Sequence, residues 1–268
     1  MSTAVRFALI SDIHANLPAL DAVLTDIAAR PGVGATYHLG DLVGYAPWPD
    51  DTVARVRAEG IPGVAGNYDS TVATEAAHCG CRYEDPRQEE LSHLSYAWTL
   101  EHTSHATKVW LATLPFRLDL RPLGGHASGP TVTLIHGNQV LNTVYVHAER
   151  TDDFLAKMGA AVGARRGDVV CFGHTHIPWH RVVEGIHYVN TGSVGRPKDG
   201  DPRAGYVLLD VTSDAAVHVE MVRVAYDVEQ TSRAILASTL PDDFADYLRT
   251  GGRPRHTPAA PEPEERLQ

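Results

Sequence analysis

The chain has few cysteines, fewer basic than acidic residues and no long apolar run, and each shortage excludes a class of protein. Three cysteines in 268 residues, Cys79, Cys81 and Cys171, are too few and odd in number for the disulfide framework of a small secreted domain. A reducing, cytoplasmic setting fits them better. Lys and Arg number 23 against 33 Asp and Glu, a formal net charge of −10, so long-range attraction to anionic membranes or to duplex nucleic acid is not expected. A local basic pocket is compatible with that charge. No stretch approaches the roughly 20 apolar residues of a transmembrane helix. Met1-Ser2-Thr3-Ala4 runs into a strand-like segment containing Arg6, without the charged and apolar regions of a leader.

What is present is a recurring strand-loop-helix unit. Residues 4–10 form a short apolar run that ends in the polar loop Ser11-Asp12-Ile13-His14-Ala15-Asn16, and Pro18 opens a helix to about residue 30. Residues 35–39 are strand-like before Gly40-Asp41, 50–59 are helical, and 61–65 are strand-like before Gly66-Asn67. Each strand delivers polar residues just past its carboxyl end, where open α/β sheets place their ligands. Residues 84–114 are helical and polar, and read as an insertion beside the sheet that shapes a substrate pocket. A strand-rich half follows at 115–120, 131–135, 168–172, 179–183, 187–190, 206–211 and 217–224, which suggests a second sheet. Terminal helices over 227–248, interrupted at Pro241, precede a Pro-rich, charged tail at 251–268 that is expected to be disordered. One domain over residues 1–250 is the expectation for an α/β chain of this length.

Five short elements carry seven oxygen and nitrogen donors: Asp12-Ile13-His14, Gly40-Asp41, Gly66-Asn67, His136-Gly137 and Gly173-His174-Thr175-His176. A two-metal hydrolytic centre needs carboxylate, imidazole and amide oxygen, with one carboxylate able to bridge ions roughly 3.5–4 Å apart. Asp12 and His14, two apart in one loop, can turn toward a first ion whose shell His176 completes. Asp41, closing the next strand, is the natural bridge. Asn67 offers its side-chain carbonyl to a second ion, with His136 and His174 as its imidazoles.

The ordered set Asp-x-His, Gly-Asp, Gly-Asn, His-Gly and Gly-His-x-His resembles the calcineurin-like metallophosphoesterase superfamily over about residues 5–210. The segments 11–16, Gly40-Asp41-Leu42-Val43-Gly44-Tyr45 and Asn190-Thr191-Gly192-Ser193-Val194-Gly195-Arg196-Pro197 are similar to its small bacterial and archaeal phosphodiesterase branch. The resemblance implies an α/β fold, a four-layer α/β/β/α sandwich of two mixed β-sheets flanked by helices, with metals at the carboxyl ends of the strands. It implies Asp12, His14 and His176 on one ion, Asn67, His136 and His174 on the other, and Asp41 between them. Asp41 and Asn67 are thereby also catalytic candidates.

The implied cofactors are two divalent ions, Mn²⁺ first, with Fe, Zn, Mg, Ni or Co as alternatives. The implied activity is metal-dependent hydrolysis of a small phosphodiester, of nucleotide type or a cyclic nucleotide, by a metal-activated water or hydroxide. A phosphomonoesterase and a dinucleoside polyphosphate hydrolase are alternatives within that chemistry. A metal-binding scaffold for protein interaction with little turnover is the alternative outside it. A homo-oligomer is left open.

One departure bears on mechanism. Many superfamily members carry Gly-Asn-His-Asp or Gly-Asn-His-Glu, whose His helps protonate the leaving oxygen; this chain reads Gly66-Asn67-Tyr68-Asp69. A phenol, with an ordinary pKa of about 10, is a weaker acid than imidazolium but can donate a hydrogen bond to a developing oxyanion. Tyr68 is thus a catalytic and substrate-binding candidate, with His78 or His38 as substitute acids. Arg196, Lys198 and Arg203 follow the strand ending at Asn190 and are candidates to pair with phosphate, Arg196 foremost. Asn16 is either the cap of the first helix or a phosphate contact, the cap being preferred. His78-Cys79-Gly80-Cys81 lacks a second cysteine pair and reads as a structural loop. Cys171 reads as a small buried hydrophobe. His93, His102 and His105 read as a solvated helix face, and His38 as core.

Overall fold

Alternation along the strands builds two sheets that share an apolar interior. In β1 (Ala4–Ile10) Phe7 and Leu9 face one core while Ala8 and Ile10 face another, the period of two that a strand buried on both faces requires. β1 pairs in parallel with β2 (Val33–His38) and antiparallel with β8 (Ala204–Thr212), which pairs antiparallel with β9 (Val217–Val224). This first sheet has the order β2-β1-β8-β9. The second has the order β3-β4-β5-β7-β6, from β3 (Leu118–Leu120), β4 (Val132–Leu134), β5 (Val169–Phe172), β6 (Trp179–Val183) and β7 (Ile186–Asn190). Its central pairs β4–β5 and β5–β7 are parallel and its edges antiparallel. The computed structural model describes residues 4–81, 85–123, 129–214 and 216–253. The tail from residue 254 onward, residue 84 of the expected insertion and residues 1–3 lie outside that range.

Three apolar clusters separate four layers. Phe7, Leu9, Val132, Leu134, Val169, Val207 and Leu209 fill the space between the sheets. The other face of the first sheet packs under α1 (Leu17–Ala29), α2 (Pro49–Ala58), α7 (Val228–Leu236) and α8 (Asp243–Thr250). The other face of the second sheet packs under α6 (Asp152–Val162) through Leu155, Met158, Val170 and Phe172. This is the α/β/β/α sandwich expected from the sequence. The cysteine expected to act as a hydrophobe, Cys171, is fully buried between the sheets.

Several elements differ from the sequence reading. Residues 61–65 make one isolated bridge, His38 with Gly63, in place of a strand, because Pro62 has no N–H to donate and Ala65 donates to Pro115. The helical insertion breaks into α4 (Pro86–His102) and α5 (His105–Leu111) at Ser104, whose Oγ accepts from Thr107 N–H. Two helices were not anticipated, α6 and α3 (Asn67–Ala73). No helix among the described residues is long and apolar enough to cross a membrane.

Candidate metal centre

The polar loops after β1, β2, β4, β5 and β7 converge at one end of the sandwich, where backbone bonds lock them together. Asp12 N–H donates to Gly40 O at 3.0 Å and His14 N–H to Asp41 O at 2.9 Å, so the first two loops run as a pair. Gly195 N–H donates to Asp12 O at 3.0 Å. The close approach demands glycine: a Cβ on Gly66 would lie 2.0 Å from Asp41 Oδ1, and one on Gly173 would lie 2.4 Å from Asp12 Oδ2. Asp12, His14, Asp41, His174 and His176 all adopt the left-handed backbone region, with φ between 50° and 66°. For residues with a Cβ that conformation stores about 1 kcal/mol or more each, and such strain gathers at functional sites.

All seven donors expected from the sequence meet there. Asp12, His14 and His176 form one group and Asp41, His136 and His174 another, each with ligand atoms within 4.8 Å of one another. Asn67 Oδ1 lies 3.2 Å from His136 Nε2, which places it in the second group. The two groups abut: Asp41 Oδ2 is 3.4 Å from His136 Nε2 and 3.7 Å from His14 Nε2. His176 Nε2 is 3.3 Å from Asp12 Oδ1.

Each donor is aimed by a second bond. His14, His136 and His176 direct Nδ1 at the carbonyls of Val43, Leu39 and Arg196, at 3.0, 2.7 and 2.6 Å, and a backbone bond at Thr143 does the same for His174. That bond fixes the tautomer and leaves Nε2 as an acceptor. The carboxylates divide their oxygens. Asp12 Oδ2 accepts from Ser11 Oγ and His174 N–H, and Asp41 Oδ1 accepts from Tyr68 N–H. Asp12 Oδ1 and His174 Nε2 are buried without a hydrogen-bond partner. Buried polar atoms are normally bonded, and two orphans aimed into one cluster of oxygen and nitrogen donors are what divalent cations would satisfy.

The charges agree. Burial pushes His14 down to about 3 and holds His174 and His176 well below the ordinary range, so all three favour the neutral form that a metal needs. Burial opposes charge on His136 too, but the Asp41 carboxylate and its hydrogen bond raise it to about 10. Burial works against ionisation of Asp41, yet His136, with His14 and His174, holds that carboxyl below the usual range. Burial lifts Asp12 to about 6.

The other candidates separate. Arg196 is buried beside the cluster, its guanidinium 3.9 Å over the Tyr45 ring, and it lines a cavity of about 930 Å³ together with Lys198, Cys81, Tyr145 and Thr175. Arg203 is exposed and paired with Asp201. Asn16 is the cap: its Oδ1 accepts from Ala19 N–H and Thr231 Oγ1, and its Nδ2 donates to Gly195 O and the Tyr226 hydroxyl. Nothing remains on Asn16 for a phosphate. The Tyr68 hydroxyl donates to Ser95 Oγ at 3.3 Å, turned into α4, and burial pushes its pKa well up. The donor role expected of this phenol is therefore without a geometric basis, although its ring borders His14. His38 is fully buried and His78 is exposed. His93, His102 and His105 are exposed as expected.

The sequence reading missed Asp69, whose Oδ1 accepts from Leu42 N–H and whose Oδ2 accepts from Gly66 N–H, at 2.9 and 3.0 Å. It clamps the Asp41 loop to the start of α3. Its place three residues after Gly66 was the available signal. The loop at 78–81 also proved closer to the site than its structural reading implied: Asn67 Nδ2 lies 3.3 Å from Cys79 O and 3.1 Å from Cys81 Sγ.

Comparison with known proteins agrees with this geometry. An uncharacterized protein of Methanocaldococcus jannaschii is 29% identical over 262 residues, covering 91% of this chain and 97% of its own length. The crystal structure of a metallophosphoesterase from Sphaerobacter thermophilus is 28% identical, covers 93% of this chain and 100% of its own, and has a TM-score of 0.70. A hypothetical protein from Pyrococcus horikoshii OT3, 21% identical with 93% and 99% coverage and a TM-score of 0.77, shares the fold. The family model for the calcineurin-like phosphoesterase superfamily domain matches residues 5–214, and the chain belongs to that superfamily.

Proposed function

We propose that this protein is a binuclear metal-dependent phosphodiesterase acting on a small phosphodiester of nucleotide type, in the cytoplasm. The observation that carries the reading is the pair of abutting donor groups, with two orphaned buried atoms, beside a cavity that Arg196 and Lys198 line. Asp12, His14 and His176 would hold one ion, Asn67, His136 and His174 the other, and Asp41 would bridge them, with Mn²⁺ the first choice. Two such ions, when bound, lower the pKa of a water and polarise a phosphoryl oxygen.

The chain's own part is orientation and charge. The four Nδ1 bonds aim the imidazoles, burial keeps those of His14, His174 and His176 neutral, and Asp69 fixes the spacing of Asp41 and Asn67. The guanidinium of Arg196 would pair with a non-bridging oxygen of the substrate, and that anion would hold a proton on Lys198, whose pKa burial lowers to about 7. Asp85 and Glu89 of the insertion line the same cavity, and their charge favours an ester carrying one negative charge over a polyphosphate carrying several. That favours the diester over a dinucleoside polyphosphate.

The test is metal-stripped protein titrated with Mn²⁺ and assayed on bis(p-nitrophenyl) phosphate, p-nitrophenyl phosphate and diadenosine tetraphosphate. Diester hydrolysis should rise to a plateau at two ions per chain and exceed the other two rates. Protein that binds two ions and leaves all three esters intact overturns the reading.

A further inference from the structure

A file of aromatic rings leads out of the ligand cluster along one wall of the cavity. His174 stacks on Tyr145 with ring centroids 4.2 Å apart and planes 20° apart. Tyr145 and His147 are nearly parallel, at 13°, with centroids 5.8 Å apart. Superposed rings would sit closer, so that spacing means an offset that leaves part of each face uncovered. Tyr145 is half-buried, His147 is exposed, and both line the cavity of about 930 Å³. That volume lies within the range of small-ligand sites. Gln88 of α4, which donates to the hydroxyl of Tyr247 of α8 at 2.6 Å, and Tyr247 itself line the same cavity. Ring faces together with amide and hydroxyl groups suit a flat group with a polar edge.

We propose that Tyr145 and His147 form a stacking platform that selects phosphate esters carrying a planar heteroaromatic ring, a nucleobase, on the ester arm that leaves the metal end of the cavity. This inference rests on the phosphoesterase reading above and names the residues that would set its substrate class. Tyr145 also touches the ligand His174, so its replacement would disturb both functions. Tyr145 lies between His147 and the ligand His174, so the ring of His147 can be removed by itself.

The discriminating measurement is binding, which needs no turnover. Metal-loaded protein is titrated calorimetrically with adenosine 5′-monophosphate and with ribose 5-phosphate, which share the phosphate and sugar and differ in the base. Stacking on an aromatic ring is strong enough that the nucleotide should bind about tenfold more tightly. His147→Ala should bring the two constants within about threefold of each other while leaving ribose 5-phosphate unchanged, and His147→Phe should restore the ratio without restoring a charge. Equal affinity in the parent protein, or an unaltered ratio in His147→Ala, overturns the platform. A ratio lost in His147→Phe as well assigns the preference to imidazole charge or hydrogen bonding and also overturns it. Failure of the hydrolase reading would appear separately, as nucleotide binding without cleavage of any diester.

Discussion

In the donor cluster, the floor of the site, the seven donors are buried and held by further hydrogen bonds, whereas on the wall made by α4 and α8 the charged groups are exposed and joined by ion pairs. Five of the floor residues hold a left-handed backbone and nearly all are buried, a strained arrangement sustained by the three apolar clusters around it. On the wall, Arg87 is half-exposed and pairs with Glu90 and Asp243. Rigid geometry belongs where charge must be placed to a fraction of an ångström. Exposed pairs contribute little to stability and can be exchanged. On the function proposed above, the contrast would give chemistry to the floor and choice of substrate to the wall.

The largest expected effect comes from breaking the floor. Asp41→Asn keeps an oxygen to accept from Tyr68 N–H and removes only the charge that would bridge the ions. Bridging charge contributes several kcal/mol of transition-state stabilisation, so turnover of an activated diester should fall by about 10³-fold or more, with the fold intact. Metal content by elemental analysis should fall from two ions toward one or none. A variant that keeps both ions and near-parental turnover would sink the assignment of Asp41.

An intermediate effect follows from the charges. His136 is raised to about 10 from an ordinary 6.5, so in ion-free protein the folded state holds that proton more tightly than the unfolded chain. Its contribution to stability is complete below about 6.5 and is lost as pH rises through about 10. Each pH unit in that window is worth up to about 1.4 kcal/mol, or a few degrees of Tm. In the loaded protein, cations take the place of the proton. Burial lowers Lys198 to about 7 from an ordinary 10.5, which works in the opposite direction over the same window, so the His136 effect is read by difference: chelated parent protein should lose more Tm between pH 7 and 10 than chelated His136→Gln, and ion binding should release protons. Parallel curves would contradict this.

The two regions also differ in how far the sequence disclosed them. The donors were legible because six of the seven lie just past a strand end and four of those share a short spacing, Asp-x-His or Gly-His-x-His, that allows few alternatives. The sandwich was legible through the family resemblance of those motifs, and β1 and β8 agree with it by alternating between two cores. Tyr68 was not, because spacing places it beside the donor cluster but only packing sends its hydroxyl into α4. Asp69 acts through two backbone amides, Gly66 at the start of its own helix and Leu42 of another loop, and Tyr145 and His147 reach the site from a long irregular connection between β4 and α6. Side-chain direction in such segments is set by tertiary contacts that no periodicity records.

The smallest expected effect sharpens the comparison from the wall. Arg87 spans α4 and α8, donating to Glu90 Oε2 at 2.6 Å and Asp243 Oδ2 at 2.9 Å, and is half-exposed. Exposed pairs of this kind contribute at most about 1 kcal/mol, so Arg87→Ala should lower Tm by no more than about 4 °C. Turnover of a small aryl diester depends on the floor and should stay within about twofold of the parent, a difference under about 0.5 kcal/mol. Substrates long enough to reach Gln88 and Tyr247 should show a modest rise in KM, on the order of threefold, and the difference should shrink in high salt as the pair is screened. If Arg87→Ala slowed the small diester as much as it weakened the long one, wall and floor would be one mechanical unit, and the division of labour between them would fail.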